Sequence, residues 1–213
     1  MTKTNVLVVG NDSGVQSMFR KRGFNILYEI IDSKKQDPDL VCFTGGSDIN
    51  PSLYGESVGF RTKIDPKRDV REGLIFERWL NKPKVGICRG GQLLNVLSGG
   101  AMWQHVNNHT DAHQAIDLLF TKKPLWVTST HHQMMIPGAE SFMLAMTPAI
   151  STEYFSGKKR DTPKYEPEVL WYPKTNSLCF QPHPEYDSKQ GNEHTEYFFK
   201  LVEWAFEFSK KKE

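Results

Sequence analysis

Cysteine is scarce and scattered. The 213 residues hold only three, Cys42, Cys88 and Cys179, with no CxxC pair and no spacing that frames disulfides. That excludes a stapled secreted scaffold and leads to the expectation of a cytoplasmic protein, in a compartment where a reactive thiol survives. An excess of one charge is also lacking. The 27 Lys and Arg stand against 25 Asp and Glu, for a formal net charge of +2, so there is no electrostatic case for nucleic acid or an anionic membrane as partner. The Lys210-Lys211-Lys212 run reads as a solvated helix end. No stretch approaches the roughly 20 apolar residues of a membrane span, and the apolar run after Asn5 is too short for a signal peptide. Without internal repeats or low-complexity linkers, one domain over residues 1–213 is expected, of a size that buries a sizeable core.

What the chain does contain is an alternation of short apolar runs and helical patterns. Asn5 to Val9 is a near-continuous apolar run ending at Gly10, the pattern of a strand buried on both faces. A helix is expected over Val15 to Arg22, capped by Asp12 or Ser13, then strands over Asn25 to Ile31 and Leu40 to Phe43. Apolar spacing at Leu74, Ile75 and Trp79 predicts a helix from Asp69 to Leu80. Strand Val85 to Cys88 and helix Gly91 to Leu97 follow. This alternation predicts an open α/β sheet. The later half reads as strands separated by turns (125–127, 142–145, 169–171 and 177–180), closed by an amphipathic helix over Glu196 to Ser209.

The most specific stretch is Gly86-Ile87-Cys88-Arg89-Gly90-Gly91-Gln92. A nucleophile on a sharp strand-to-helix turn needs minimal residues two places before and after it, and Gly86 and Gly90 meet both demands. The helix beginning beyond Cys88 aims free N–H groups and its positive dipole end at the sulfur.

A cysteine nucleophile needs a base, and the base needs an orienting group. His183, in Gln181-Pro182-His183-Pro184-Glu185 at the end of the last strand, is the candidate base, with Glu185 two residues on as its partner in extended backbone. An oxyanion needs donors. The Arg89 N–H is one, and the Gly45-Gly46 backbone, ending the third strand, can supply another. In an open α/β sheet ligands sit at the carboxyl ends of the strands, where the elbow, this loop and His183 all fall.

Other polar groups carry plainer readings. His109 and His113 have helical zinc spacing, but Thr110 replaces the glutamate of a metalloprotease motif and no third ligand is evident. A surface loop and strand start are expected there, with no metal and no cofactor. His131-His132 reads as a loop lining a pocket. Cys42 and Cys179 read as small core residues. Arg68, Asp69 and Glu72 read as a helix cap and a surface ion pair.

Taken together, these residues resemble the class I glutamine amidotransferase superfamily, and within it the γ-glutamyl hydrolase-like branch, peptidase family C26. The matching segments are Thr44 to Pro51 with Leu53 to Glu56, Gly86 to Gln92 with Asn95-Val96 and Gly99-Gly100, Ser129 to Gln133, and Gln181 to Glu185. The resemblance implies a flavodoxin-like, mostly parallel sheet flanked by helices, with additional antiparallel strands in the C-terminal half. It also implies a Cys88–His183–Glu185 triad, oxyanion donors at Arg89 and at Gly45 or Gly46, and glutamyl contacts from Gln92, Ser129, Thr130 and His131. Three positions depart from the family pattern: Thr44 stands for proline, Thr128 for asparagine and Pro182 for an aromatic residue. The chemistry implied is hydrolysis of the γ-glutamyl amide of glutamine or a γ-glutamyl compound through a cysteine thioester. A glutaminase subunit serving a separate synthetase, and a non-catalytic binding or thiol-sensing module on the same fold, are the alternatives. The leaving amine would be bounded by the unsigned loops Glu56 to Lys67 and Ser156 to Glu166.

Overall fold

The computed structural model describes residues 4–29, 37–186 and 192–210. The chain runs β1 (Asn5–Val9), α1 (Ser13–Lys21), β2 (Asn25–Tyr28), β3 (Leu40–Phe43), a 3₁₀ turn (Pro51–Tyr54), α2 (Pro66–Arg78), β4 (Lys84–Ile87) and α3 (Arg89–Leu97). Then follow β5 (Ala101–Trp103), β6 (His105–Val106), β7 (His113–Asp117), β8 (Pro124–Val127), β9 (Met134–Ile136), β10 (Phe142–Pro148), β11 (Tyr154–Phe155), β12 (Tyr165–Tyr172), β13 (Ser177–Phe180) and α4 (Glu193–Lys210).

Nine strands form one sheet in the order β2-β1-β3-β4-β13-β12-β10-β7-β8. The first five run parallel, and the other four extend the sheet antiparallel. With β13 in fifth place, the parallel half has the 2-1-3-4-5 order of flavodoxin-like folds, as expected. Alternate residues of the buried strands feed two cores. Val6, Val8, Cys42 and Val85 pack with Phe19 of α1 and Phe198 of α4 on one face. Leu7, Val9, Val41 and Phe43 pack with Phe76 of α2 and Leu93 of α3 on the other. Cys42 and Cys179 are fully buried core residues, as read.

Four expectations need correction. α2 starts at Pro66, capped by Asp65, whose side chain accepts from the Arg68 N–H; a proline at the first helical position is the signal that places it there. Its buried face is Asp69, Glu72 and Phe76, while Leu74 is 68% exposed. β12 is eight residues rather than three and passes through Pro167, accommodated where the register with β10 shifts. β5, β6, β7, β9 and β11 went unforeseen, being short or without clean alternation. Of the second strand expected through Ile31, Asn25–Tyr28 is seen, and Ile30 and Ile31 lie outside the described residues, as do Lys211 and Lys212. No helix among the described residues is long and apolar enough to cross a membrane.

Candidate active site

β4 delivers the chain into the site at Cys88. This residue caps α3 with φ 50° and ψ −112°, a left-handed conformation unusual for a side-chain-bearing residue. The turn closes because nothing projects into it: a Cβ at Gly86 would overlap the Gly90 carbonyl, and one at Gly90 would overlap the Phe43 carbonyl. The Cys88 N–H donates to Phe180 O at 2.8 Å, tying the elbow to the end of β13. Gln92 N is the first amide to bond back, to Cys88 O, so the Arg89, Gly90 and Gly91 N–H groups begin the helix without intrahelical acceptors.

β13 ends at Phe180, and the chain then turns through His183. Tyr186 N donates to His183 O at 3.3 Å, closing a turn with Pro184 inside it. Glu185 therefore reaches His183 around a turn and not along the extended backbone expected. The contact forms nonetheless: His183 Nδ1 and Glu185 Oε1 are 2.6 Å apart, with both side chains nearly sealed from solvent. Tyr186 stacks on the face of the imidazole at 4.4 Å between ring centroids. Burial works against the imidazolium of His183, but hydrogen bonds with Cys88 and Glu185 outweigh it and push the pKa up to about 10. Sulfur, imidazole and carboxylate are thus brought together in one line.

Gly45 faces this line, since a Cβ there would sit 3.0 Å from His183 Cε1 and 3.9 Å from the Cys88 Cβ. Gly46, with φ 150°, lies over the Arg68 guanidinium instead. The loop that carries them is held at both ends. Arg68 Nη2 donates to Thr44 O at 3.2 Å, and Arg89 Nε donates to Ser47 O at 3.1 Å. Arg89 is buried, and its remaining nitrogens meet Asp69 and Glu72; Arg68 Nε meets Glu72 at 2.6 Å. The expected surface ion pair is therefore a buried network, with Glu72 0% exposed. Burial drives the Asp69 carboxyl pKa up against the pull of Arg89.

Gln92 and the 128–133 segment close the other side. Gln92 Nε2 donates to Gln133 O at 3.1 Å and to Gln181 Oε1 at 3.2 Å, and Gln181 Nε2 approaches Cys88 Sγ at 3.8 Å. Thr128 Oγ1 accepts from His183 N at 2.8 Å and donates to His183 O at 3.0 Å. One segment thus starts against His183 and ends against Gln92. Within it Ser129 and His131 are buried and Thr130 is exposed. Ser129 Oγ donates to His109 O at 2.9 Å, and His131 stacks on His109. Burial, with His109 beside it, holds the His131 pKa well below the usual imidazole range. His132 turns the other way, to Asp48 at 3.2 Å.

The two loops read as unsigned meet at Glu56, whose carboxylate takes Arg160 Nη2 at 2.8 Å and Gly157 N at 2.6 Å. Sequence reasoning missed Gln181, Thr128 and the Arg89 side chain as parts of the site. Arg89 had a signal, an arginine beside the nucleophile with acids three apart on a nearby helix; Gln181 had its place in the segment of His183, and Thr128 its departure from the family pattern. His109, expected on the surface, is 1% exposed.

Comparison with known proteins bears on the family and the fold. The Peptidase C26 family matches residues 28–159. A Lactococcus lactis (strain IL1403) protein named "Putative glutamine amidotransferase-like protein YvdE" is 34% identical over 119 residues, 46% of this chain and 50% of that one. A Mycobacterium tuberculosis (strain H37Rv) protein, "Putative glutamine amidotransferase Rv2859c", is 37% identical over 92 residues, 40% of this chain and 30% of that one. The matched stretch thus spans half or less of each of these two relatives. Among solved structures, a "putative gmp synthase subunit a protein" of Thermoplasma acidophilum superposes over 100% of both chains, with a TM-score of 0.69 at 15% identity. A glutamine amidotransferase of Thermotoga maritima covers 100% of this chain and 92% of its own, with a TM-score of 0.62 at 15% identity. With a family match over more than half of its residues, on a fold shared with glutamine amidotransferases, the chain belongs to the Peptidase C26 family of glutamine amidotransferase-like proteins.

Proposed function

We propose that the protein hydrolyses the γ-glutamyl amide bond of glutamine or of γ-glutamyl amines through a thioester on Cys88. The observation that carries this reading is the buried line from Cys88 through His183 to Glu185, with 2.6 Å between the last two. Cys88 Sγ attacks the γ-carbonyl carbon, and the carbonyl oxygen takes the negative charge. The Arg89 N–H and the Gly45-Gly46 backbone are the donors to that oxyanion. As the C–N bond breaks, His183 gives its proton to the departing amine or ammonia. A water then attacks the thioester carbonyl, returns a proton to His183, and glutamate leaves as the C–S bond breaks. Glu185 holds the imidazole in register and balances its charge.

Glutamyl recognition falls to Gln92 and to Ser129, Thr130 and His131, in the segment that runs from His183 to Gln92. The amine half faces the loops joined at Glu56. Free thiols at all three cysteines suit a cytoplasmic setting.

A second reading is a glutaminase subunit that hands ammonia to a separate synthetase. It is favoured by the fold shared with the "putative gmp synthase subunit a protein" and with PurLQS of Thermotoga maritima. One panel tests both: glutamine, γ-glutamyl amines and polyglutamates, scored for released ammonia, amine and glutamate. Turnover of γ-glutamyl amines by the isolated chain supports the hydrolase. Ammonia release only on addition of a synthetase supports the subunit, and no release from any member of the panel refutes both.

A further inference from the structure

Away from the sulfur, two histidine–carboxylate pairs lie side by side where β7 and the loop before it meet β12. His109 Nε2 is 3.1 Å from Glu166 Oε2, and His113 Nε2 is 2.7 Å from Glu168 Oε1. The two imidazoles meet edge to face at 5.3 Å between centroids. Glu166 and Glu168 are two apart on one strand, so they share a face of β12. The i, i+4 histidines converge without a helix, because His109 ends a turn and His113 opens β7.

Hydrogen-bond accounting shows what this cluster lacks. Ser129 Oγ donates its proton to His109 O, so at 3.4 Å it can only accept from His109 Nδ1–H. His113 Nδ1 faces the Asp111 carbonyl at 3.4 Å, again an acceptor. Each Nε2 faces a carboxylate oxygen, at 3.1 and 2.7 Å, where a proton or a metal ion sits between the two acceptors.

The two carboxylates are not equivalent. Glu166 already takes Ile150 N, Ser151 N and the Tyr154 hydroxyl. Glu168 is 1% exposed, and its Oε2 meets no donor among the described residues. His109, His113 and Glu168 each offer a ligand atom, and these atoms lie within 4.8 Å of one another.

We propose that His109, His113 and Glu168 form a divalent transition-metal site suited to Zn²⁺. Two imidazole nitrogens and a carboxylate are a donor set that zinc accepts, at bond lengths of about 2.0–2.2 Å, with a fourth position left to water. One dication does the work of a proton at each pair and releases those protons on binding. The Nδ1 contacts to Asp111 O and Ser129 Oγ orient the rings in the way metal-binding imidazoles are usually held. The ion ties the start of β7 to the middle of the antiparallel sheet. It also steadies His109, the residue on which Ser129 and His131 pack.

The test uses the full chain, stripped of metal by a chelator and titrated with Zn²⁺, with Co²⁺ as a spectroscopic substitute. One zinc per chain is expected, with proton release, and Co²⁺ should give visible ligand-field bands without thiolate charge transfer. His113→Asn and Glu168→Gln should each weaken zinc binding at least about tenfold, while Cys88→Ser leaves it unchanged. The Co²⁺ spectrum of the unaltered chain reads the ligand type even if a variant folds poorly. No zinc uptake, uptake indifferent to both variants, uptake lost with Cys88→Ser, or a thiolate band would each overturn the assignment.

Discussion

Arg89 Nε donates to the carbonyl oxygen of Ser47 across 3.1 Å, so the residue that follows the sulfur also holds the glycine loop facing it. The guanidinium needs its full fork: one nitrogen for Ser47, the others for Asp69 and Glu72. Lysine keeps the charge, but its single nitrogen cannot stand in for guanidinium nitrogens spread over Ser47, Asp69 and Glu72. Arg89→Lys should therefore keep the fold and lower kcat by up to about 10²-fold, short of the 10²–10³-fold typical of deleting an oxyanion donor outright. KM should move less than kcat. Arg89→Met leaves the buried Asp69 without its cation and Glu72 with Arg68 but without Arg89, and should cost about 3–5 kcal/mol, measurable by urea unfolding.

The elbow glycines make a prediction about folding. A methyl at Gly90 would meet the Phe43 carbonyl of β3, and one at Gly86 the Gly90 carbonyl of α3, with backbone on the receiving side in both cases. Backbone in the middle of a sheet gives way poorly. Gly90→Ala should cost about 3 kcal/mol or more, the upper end of overpacking effects. Gly73→Ala on α2, where a Cβ meets nothing within 4 Å, should be neutral or slightly stabilising by the same assay.

The imidazole of His183 sets the pH profile. Burial lowers its pKa, the contacts with Cys88 and Glu185 raise it more, and the outcome is about 10 against an ordinary 6.5. A raised value keeps the ring protonated, and able to act as an acid, through neutral pH; that form is lost as pH climbs through about 10. The alkaline limb of kcat/KM should fall there. Glu185→Gln removes one raising charge and should move the limb to lower pH. A limb near 6.5 in the unaltered protein would contradict the assignment.

Much of this was legible before any coordinates. Gly86, Cys88 and Gly90 marked the elbow because a tight turn constrains residue size locally. His183 and Glu185 were legible as a pair through their spacing, although the backbone between them is a turn and not a strand. What escaped was set by long-range packing. Asp69 and Glu72 carry the same side chains whether they face water or Arg89, so only the tertiary partner reveals a buried network. Thr128 read as a mere departure from a family pattern, yet it holds His183 by two hydrogen bonds. Glu168, which completes the histidine cluster, lies 55 positions along the chain from His113, beyond the reach of any local motif.

The most direct test of the account is hydrolysis of a γ-glutamyl amine by the Cys88→Ala variant, read alongside mass spectrometry of the unaltered protein quenched during turnover. The account predicts a glutamyl adduct on the peptide bearing Cys88, and a fall in kcat of about 10⁴-fold or more in the variant. Release of glutamate by Cys88→Ala at the unaltered rate would contradict it.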